Sequence, residues 1–286
     1  MVGDVVDVFV VAARKLGYEA STERGTVRPG AINIICFAHD LAPQALEGMS
    51  PDCIVLNFEQ FTAGSQAFNE SYLTLLRSHY VWDYSRYNLA RHAELGIANG
   101  HYVPLGYEEE AGINLAAEDM PPEASQDIDV LFFGSLNKRR AHVIDAMRRK
   151  GLRVACNDNV LWDSAYRDQM IRRAKLVLNM HFFDNSRIVE IPRLAMLFRQ
   201  RKAVLCELYA DSEIFYPELR QAVAGAAYDD LADMAMLLAS APQLRQRLAH
   251  QGFEAFSQRK QTAVLGPALD EFFAWRTGIL GAATRR

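Results

Sequence analysis

The chain has 286 residues, half of them hydrophobic and 23% charged, which is enough to bury more than one core, so two domains are the natural expectation. Its 31 basic and 35 acidic residues are interspersed and leave a formal net charge of -4, so no broad basic face offers itself to a nucleic-acid backbone and polynucleotide substrates are set aside. Cys36, Cys53, Cys156 and Cys206 lie far apart with no C-x-x-C pair, which excludes a zinc knuckle or a disulfide framework and points to reduced thiols in a cytoplasmic protein. No window approaches the ~20 apolar residues that cross a bilayer, and the N-terminus mixes Asp4, Asp7 and Arg14 into its apolar residues, so neither a signal peptide nor a membrane anchor is expected.

Val5, Val6, Phe9, Val10, Ala13 and Leu16 recur at helical spacing and Gly17 follows where a helix should stop, so a helix opens the chain. A-I-N-I-I-C-F (31–37) and D-C-I-V-L-N (52–57) each follow a Pro-containing turn and read as buried parallel strands. Residues 71–78 read as helix, 79–82 as strand, 85–96 as helix and 101–104 as strand, the alternation of an open α/β sheet. Such a sheet usually opens with a strand; here a helix comes first, so the lobe is expected to be trimmed or to lack its first strand.

Residues 108–127 are acidic, carry Pro121-Pro122 and hold no period, as an interdomain linker would. A second alternation follows: strand 128–133, helix 138–150, strand 153–156, helix 164–173, strand 176–180, helix 191–199, strand 203–206. Helices over 230–240 and 242–251 and an aromatic-rich closing helix over 265–277 complete the chain. The fold class is therefore α/β with two Rossmann-like lobes: 1–110, a linker at 111–127, a second lobe at 128–260, and a closing helix and tail at 261–286.

Two stretches carry chemistry. In V-L-F-F-G-S-L-N-K-R-R (130–140) a buried strand breaks at Gly134-Ser135 and enters a helix bearing Lys138, Arg139 and Arg140. A glycine admits a close backbone approach, a helix N-terminus favours negative charge, and basic side chains complete a phosphate clamp. The plain alternative is an ordinary turn with solvated basic residues. The loop lacks G-x-G-x-x-G and G-x-x-x-x-G-K-[ST], so dinucleotide-fold and P-loop assignments have no support. In L-N-M-H-F-F-D-N-S-R-I-V-E-I-P-R (178–193), Asn179 and His181 close a strand at its C-terminal end, where ligands bind in doubly wound sheets. Glu190 and Arg193 stand three apart at a helix start, a carboxylate suited to paired hydroxyls and a guanidinium suited to phosphate. A surface i,i+3 ion pair and a satisfied core histidine are the alternatives.

These segments, with E-I-P-R-L-A-M-L-F-R-Q-R-K-A-V-L-C-E (190–207), Y-D-D-L-A (228–232) and a helix taken to end at Gly252-Phe253, resemble the C-terminal lobe of GT-B glycosyltransferases, nearest to the group-1 and CgeB-like bacterial branch. Asn33-Ile34-Ile35, Asn57-Phe58-Glu59-Gln60, Val81-Trp82-Asp83 and Pro104-Leu105-Gly106-Tyr107 resemble the acceptor lobe of that branch, so the likeness covers most of residues 30–255. The resemblance implies an active site in the crevice of two lobes and a nucleotide-sugar donor as co-substrate, without a cofactor or metal. It places Gly134, Ser135 and Arg139 at the diphosphate and Asn179, His181, Glu190 and Arg193 around the ribose and sugar, with Lys138 and Arg187 as further donor-binding candidates. Retaining members pair two glutamates separated by seven residues, but Phe198 stands at the second place, which leaves inversion open. Asp127-x-Asp129 spells D-x-D but reads as linker polarity, and no metal is expected.

Inversion needs a base on the acceptor lobe. His39 follows its strand directly, and Glu59 and Asp83 hold matching places; His39 and Glu59 are the catalytic candidates, while Asp83 before Tyr84-Ser85 reads better as a turn or cap. The function expected is sugar transfer to an acceptor hydroxyl of a polysaccharide, protein or small molecule. The competing readings are a sugar-nucleotide epimerase on the same fold and a binding protein without turnover.

Overall fold

The computed structural model describes residues 2–41, 49–50, 52–62, 65, 69–112, 121–156, 163–214 and 216–283. The chain divides into two compact units, one formed by residues 109–259 and the other by 2–108 together with 260–286. The middle of the expected linker, residues 113–120, lies outside the described residues.

The N-terminal unit holds one parallel sheet of β1 (Ile34–Cys36), β2 (Ile54–Asn57), β3 (Tyr80–Asp83) and β4 (Gly100–Tyr102), in chain order. Successive side chains of β3 point to opposite faces, and this decides what packs where. Tyr80 and Trp82 face the opening helix α1 (Val2–Lys15) and the closing helix at 261–283: Phe9 stacks on Trp82 with ring centroids 6.3 Å apart, and Phe272 and Trp275 lie 5.2 and 4.8 Å from Tyr80. Val81 faces the other way, into a core with Val55, Ile97 and the Tyr72, Leu73, Leu75 and Leu76 side chains of α2 (Glu70–Ser78). A short α3 (Arg86–His92), capped by the Ser85 hydroxyl accepting from Asn88 N, precedes β4. Glu108, 1% exposed, ties the two chain segments of this unit, taking Lys15 Nζ at 2.8 Å and the Thr262 amide at 2.8 Å.

The C-terminal unit holds β5 (Ile128–Phe132), β6 (Val154–Cys156), β7 (Ala174–Asn179), β8 (Val204–Glu207) and β9 (Ala224–Ala226), all parallel in the order β6-β5-β7-β8-β9. Its helices are α4 (Lys138–Arg149), α5 (Ser164–Arg173), α6 (Ile191–Arg199), α7 (Leu231–Ala239) and α8 (Pro242–Ser257), followed in the other unit by α9 (Gln261–Ala283). Asn137 and Asp163 cap α4 and α5 through their side-chain oxygens, and prolines open α6 and α8, where no amide proton is needed. β5 pairs with β6 on one side and β7 on the other, so the direction of strand addition reverses between β5 and β7, the place where open α/β sheets bind ligands.

Two expectations change. Helix α8 does not end at Gly252 but runs on to Ser257, and a Cβ at Gly252 would fall 2.4 Å from the Phe198 ring, so this glycine exists for close packing. Strand β9, Ala-Gly-Ala, escapes an apolar-run reading because it is three small residues long.

Candidate functional site

Strand β5 ends at Phe132 and the chain turns at Gly134, whose φ of +141° is a conformation that disfavours any side chain. Two guanidinium groups lie directly beneath that turn. A Cβ built on Gly134 would be 2.8 Å from Arg193 Nη2 and 3.5 Å from Arg140 Nη1. Arg140, 5% exposed, donates to the carbonyls of Ser135, Met180 and His181 at 2.8 to 3.2 Å. Arg193, 3% exposed, donates from Nη1 to Asn179 Oδ1 at 2.8 Å, its Nε has no partner, and its guanidinium lies 5.8 and 5.3 Å from the Phe132 and Phe133 rings. Neither makes an ion pair among the described residues. Burial pushes Arg140 down to about 9 and Arg193 down as well, with the neighbouring Arg193 charge adding to the effect on Arg140.

Arg139 has a different environment. Both Nη atoms grip Glu207 at the end of β8, Nε pairs with Asp184, and the guanidinium lies 4.1 Å from the Tyr228 ring centroid. Glu207, 1% exposed, also accepts the His181 amide at 3.0 Å and the Tyr209 hydroxyl at 2.8 Å; against burial, the Arg139 bonds first and the Tyr209 hydroxyl after them hold its carboxyl below the usual range. Arg139, expected on phosphate, is thus engaged by carboxylates, and the guanidinium groups without an ion pair are those of Arg140 and Arg193, on which Glu190 acts only from a distance. The helical period carried this distinction: Arg140 shares the buried stripe of α4 with Val143, Ile144 and Met147, and Arg139 does not.

The remaining expected donor residues take these places. Ser135 and Lys138 are exposed at the turn and the first turn of α4. Asn179 closes β7 and orients Arg193. His181 is buried, its Nε2 lacks a partner, and burial pushes its pKa down to about 4, so the ring is neutral near pH 7. Arg187 is spent on Asp211 at 2.8 Å and the carbonyls of Asp184 and Ser186. Glu190 is half-buried at the start of α6, makes no capping bond and no ion pair with Arg193, so the surface-pair alternative does not describe it. Phe198, fully buried against Gly252 and Phe256, is a core residue. Asp127 and Asp129 are engaged by Arg173 and by Arg153 with Lys175. Asp129 lies within β5, so the linker-polarity reading does not describe it.

In the N-terminal unit, His39 sits on a one-turn helix just after β1, entered through Phe37 at φ 58°, and its Nε2 is 3.2 Å from Glu59 Oε1. The two catalytic candidates, chosen separately, form a pair. Asp83 is fully buried, with its carboxylate spent on the Ser85 amide, Asn57, Asn88 and His92, so no acceptor can reach it.

Two parallel α/β lobes, the second with its direction reversal at β5 and β7, constitute the architecture of the GT-B class. Among solved structures the chain is similar to Anabaena HepE in complex with UDP and glucose (TM-score 0.56, 12% identity, 82% of this chain and 76% of HepE). It is also similar to trehalose-6-phosphate synthase OtsA (0.52, 11%, 93% and 75%) and to TarM (0.52, 10%, 77% and 50%). The chain thus spans half the length of TarM. No family model matches the chain, and no curated protein sequence does. At these identities the likeness carries the fold.

Proposed function

We propose that the chain is a nucleotide-sugar-dependent glycosyltransferase of the group-1, CgeB-like kind, acting in polysaccharide or glycoconjugate synthesis in the cytoplasm. The observation that carries this reading is the pair of buried guanidinium groups, Arg140 and Arg193, neither ion-paired among the described residues, under the Gly134 turn at the end of β5. A diphosphate supplies the charge that such a site lacks, and the turn lets phosphate approach the backbone. Glu190 and neutral His181 stand beside it as partners for sugar or ribose hydroxyls.

In the transfer, the acceptor oxygen bonds to the anomeric carbon as the bond from that carbon to the phosphate oxygen breaks. The nucleoside diphosphate leaves with the electron pair, and the acceptor proton passes to His39. The arginines stabilise the leaving diphosphate, so the reading needs no metal. HepE was crystallised with UDP and glucose, which makes UDP-glucose the first donor to test. No helix among the described residues is long and apolar enough to cross a membrane.

Calorimetric titration with UDP and with uridine tests the donor site. The diphosphate should raise affinity at least ~10-fold, since one charge-assisted hydrogen bond contributes roughly 1.5 to 3 kcal/mol; equal affinities would remove it. Glu190→Gln keeps shape and loses charge, so UDP-sugar affinity should fall with the melting temperature unchanged; parental affinity would take Glu190 out of the site. Conversion of UDP-glucose to another UDP-sugar without acceptor would replace transfer by epimerisation.

A further inference from the structure

The residues behind the His39–Glu59 pair form a closed network. Asn57 and Asp83 are register partners at the ends of the adjacent strands β2 and β3, and with Asn88 of α3 they are all 0% exposed. Each side-chain amide nitrogen bridges the same two acceptors. Asn57 Nδ2 donates to Asp83 Oδ2 at 2.7 Å and to the Glu59 carbonyl at 3.1 Å. Asn88 Nδ2 donates to the Glu59 carbonyl at 2.7 Å and to Asp83 Oδ1 at 3.1 Å. The amide oxygens hold the other side of the loop: Asn57 Oδ1 accepts the Glu59 amide at 3.0 Å, and Asn88 Oδ1 accepts the Phe61 amide at 3.1 Å.

The orientation of both amides is set from two sides. The Glu59 carbonyl and the Asp83 carboxylate take their nitrogens, and the Glu59 and Phe61 amides take their oxygens. An amide at position 83 would offer one acceptor oxygen in place of two and set an NH2 against the Asn57, Asn88 or Ser85 N–H donors. The two asparagines, anchored on Asp83, thereby hold the backbone of Glu59 on both its amide and its carbonyl.

We propose that Asp83, Asn57 and Asn88 are positioning residues that hold Glu59 against His39 and so set the basicity of the imidazole that takes the acceptor proton. The inference rests on the reading of His39 as that base. Two other titratable groups near the ring among the described residues do not supply the charge: the Tyr72 phenol, edge-on to His39 at 5.9 Å, is held neutral by burial well above its ordinary range, and burial pushes the Cys36 thiol up to about 12. Asp40, the next residue in the chain, is the same in every variant.

The test follows His39 Cε1–H by NMR titration in the unliganded full chain, with the resonance assigned from His39→Gln, so it needs neither donor nor acceptor. Glu59→Gln should lower the His39 midpoint by several tenths of a pH unit or more, since a lost neighbouring anion makes the imidazolium less favourable. Asp83→Asn should shift it the same way by at least half as much. Asn88→Ala, which leaves Asp83 its other donors, should do likewise and serves if Asp83→Asn does not fold. Leu76→Val, a core change of similar effect on melting, should leave the midpoint at the parental value. A parental midpoint in folded Asn88→Ala or Asp83→Asn, or in Glu59→Gln itself, overturns the proposal. UDP titration of the parent judges the transferase reading separately, because that site lies in the C-terminal unit.

Discussion

Arg193→Met separates a binding arginine from a structural one, because the two roles predict effects of different size on stability. Arg193 is 3% exposed, and its one hydrogen bond goes to Asn179 Oδ1. Methionine keeps the length and flexibility and removes the charge. Three effects then compete in the free protein. The lost bond leaves a buried Asn179 oxygen unpartnered, at a cost of about 1 to 3 kcal/mol. The lost contacts with the Phe132 and Phe133 rings cost roughly 0.5 to 1 kcal/mol each. Against these, removing a buried cation relieves a desolvation penalty of several kcal/mol, on the order of the other two together. Urea unfolding should therefore give a stability within about 2 kcal/mol of the parent, whereas deleting one partner of a buried ion pair costs about 3 to 5 kcal/mol. UDP affinity should meanwhile fall about 10- to 150-fold, the equivalent of one charge-assisted hydrogen bond. A variant that binds UDP like the parent, or that loses more than about 4 kcal/mol of stability, refutes the reasoning.

Two further outcomes are expected. His181 is pushed down to about 4 from 6.5, so between those values the unfolded chain binds a proton that the folded chain does not; its contribution is fully present above pH 6.5 and is lost as pH falls, up to about 3 kcal/mol at roughly 1.4 kcal/mol per pH unit. The pH–stability curve of His181→Gln should be flatter than the parent's over that window, and parallel curves would show the ring to be solvated. Chelation should leave UDP affinity unchanged, because the positive charge comes from arginines; recovery of a chelator-sensitive affinity on adding magnesium would contradict this.

Much of the architecture was legible because parallel sheets buried on both faces leave continuous apolar runs. V-L-F-F and K-L-V-L-N mark strands whatever their partners are, and the helices 164–173 and 191–199 coincide with their apolar period. The return of the closing helix to the first sheet was not legible. It depends on Phe272 and Trp275 meeting Tyr80, a contact across nearly two hundred residues that no local pattern encodes. In the site, strand ends and helix starts located Gly134, Asn179, His181 and Glu190, since position relative to an element is a local property. The partners of each arginine were not local. Glu207 engages Arg139 from 68 residues away, and only its place at the end of β8 brings it there.

The same chemistry is therefore resolved in opposite ways in the two units. At the strand ends of the first sheet a buried carboxylate, Asp83, is met by four donor groups, and every amide around it has its partners. Such a network cannot take up a ligand without losing bonds that it already has, and its free energy is best lowered by staying fixed, which is what a positioning device requires. At the strand ends of the second sheet the buried charges are positive, and Arg193 has one hydrogen bond where its guanidinium has five donors to satisfy. An arginine in that condition lowers its free energy by meeting an acceptor anion, and the glycine turn above it presents no side chain to stand in the way. The asymmetry is the ground for proposing the arginines as the recognition residues and the aspartate as a rigid support, a distinction that neither residue type, read singly in the sequence, draws from ordinary surface charge.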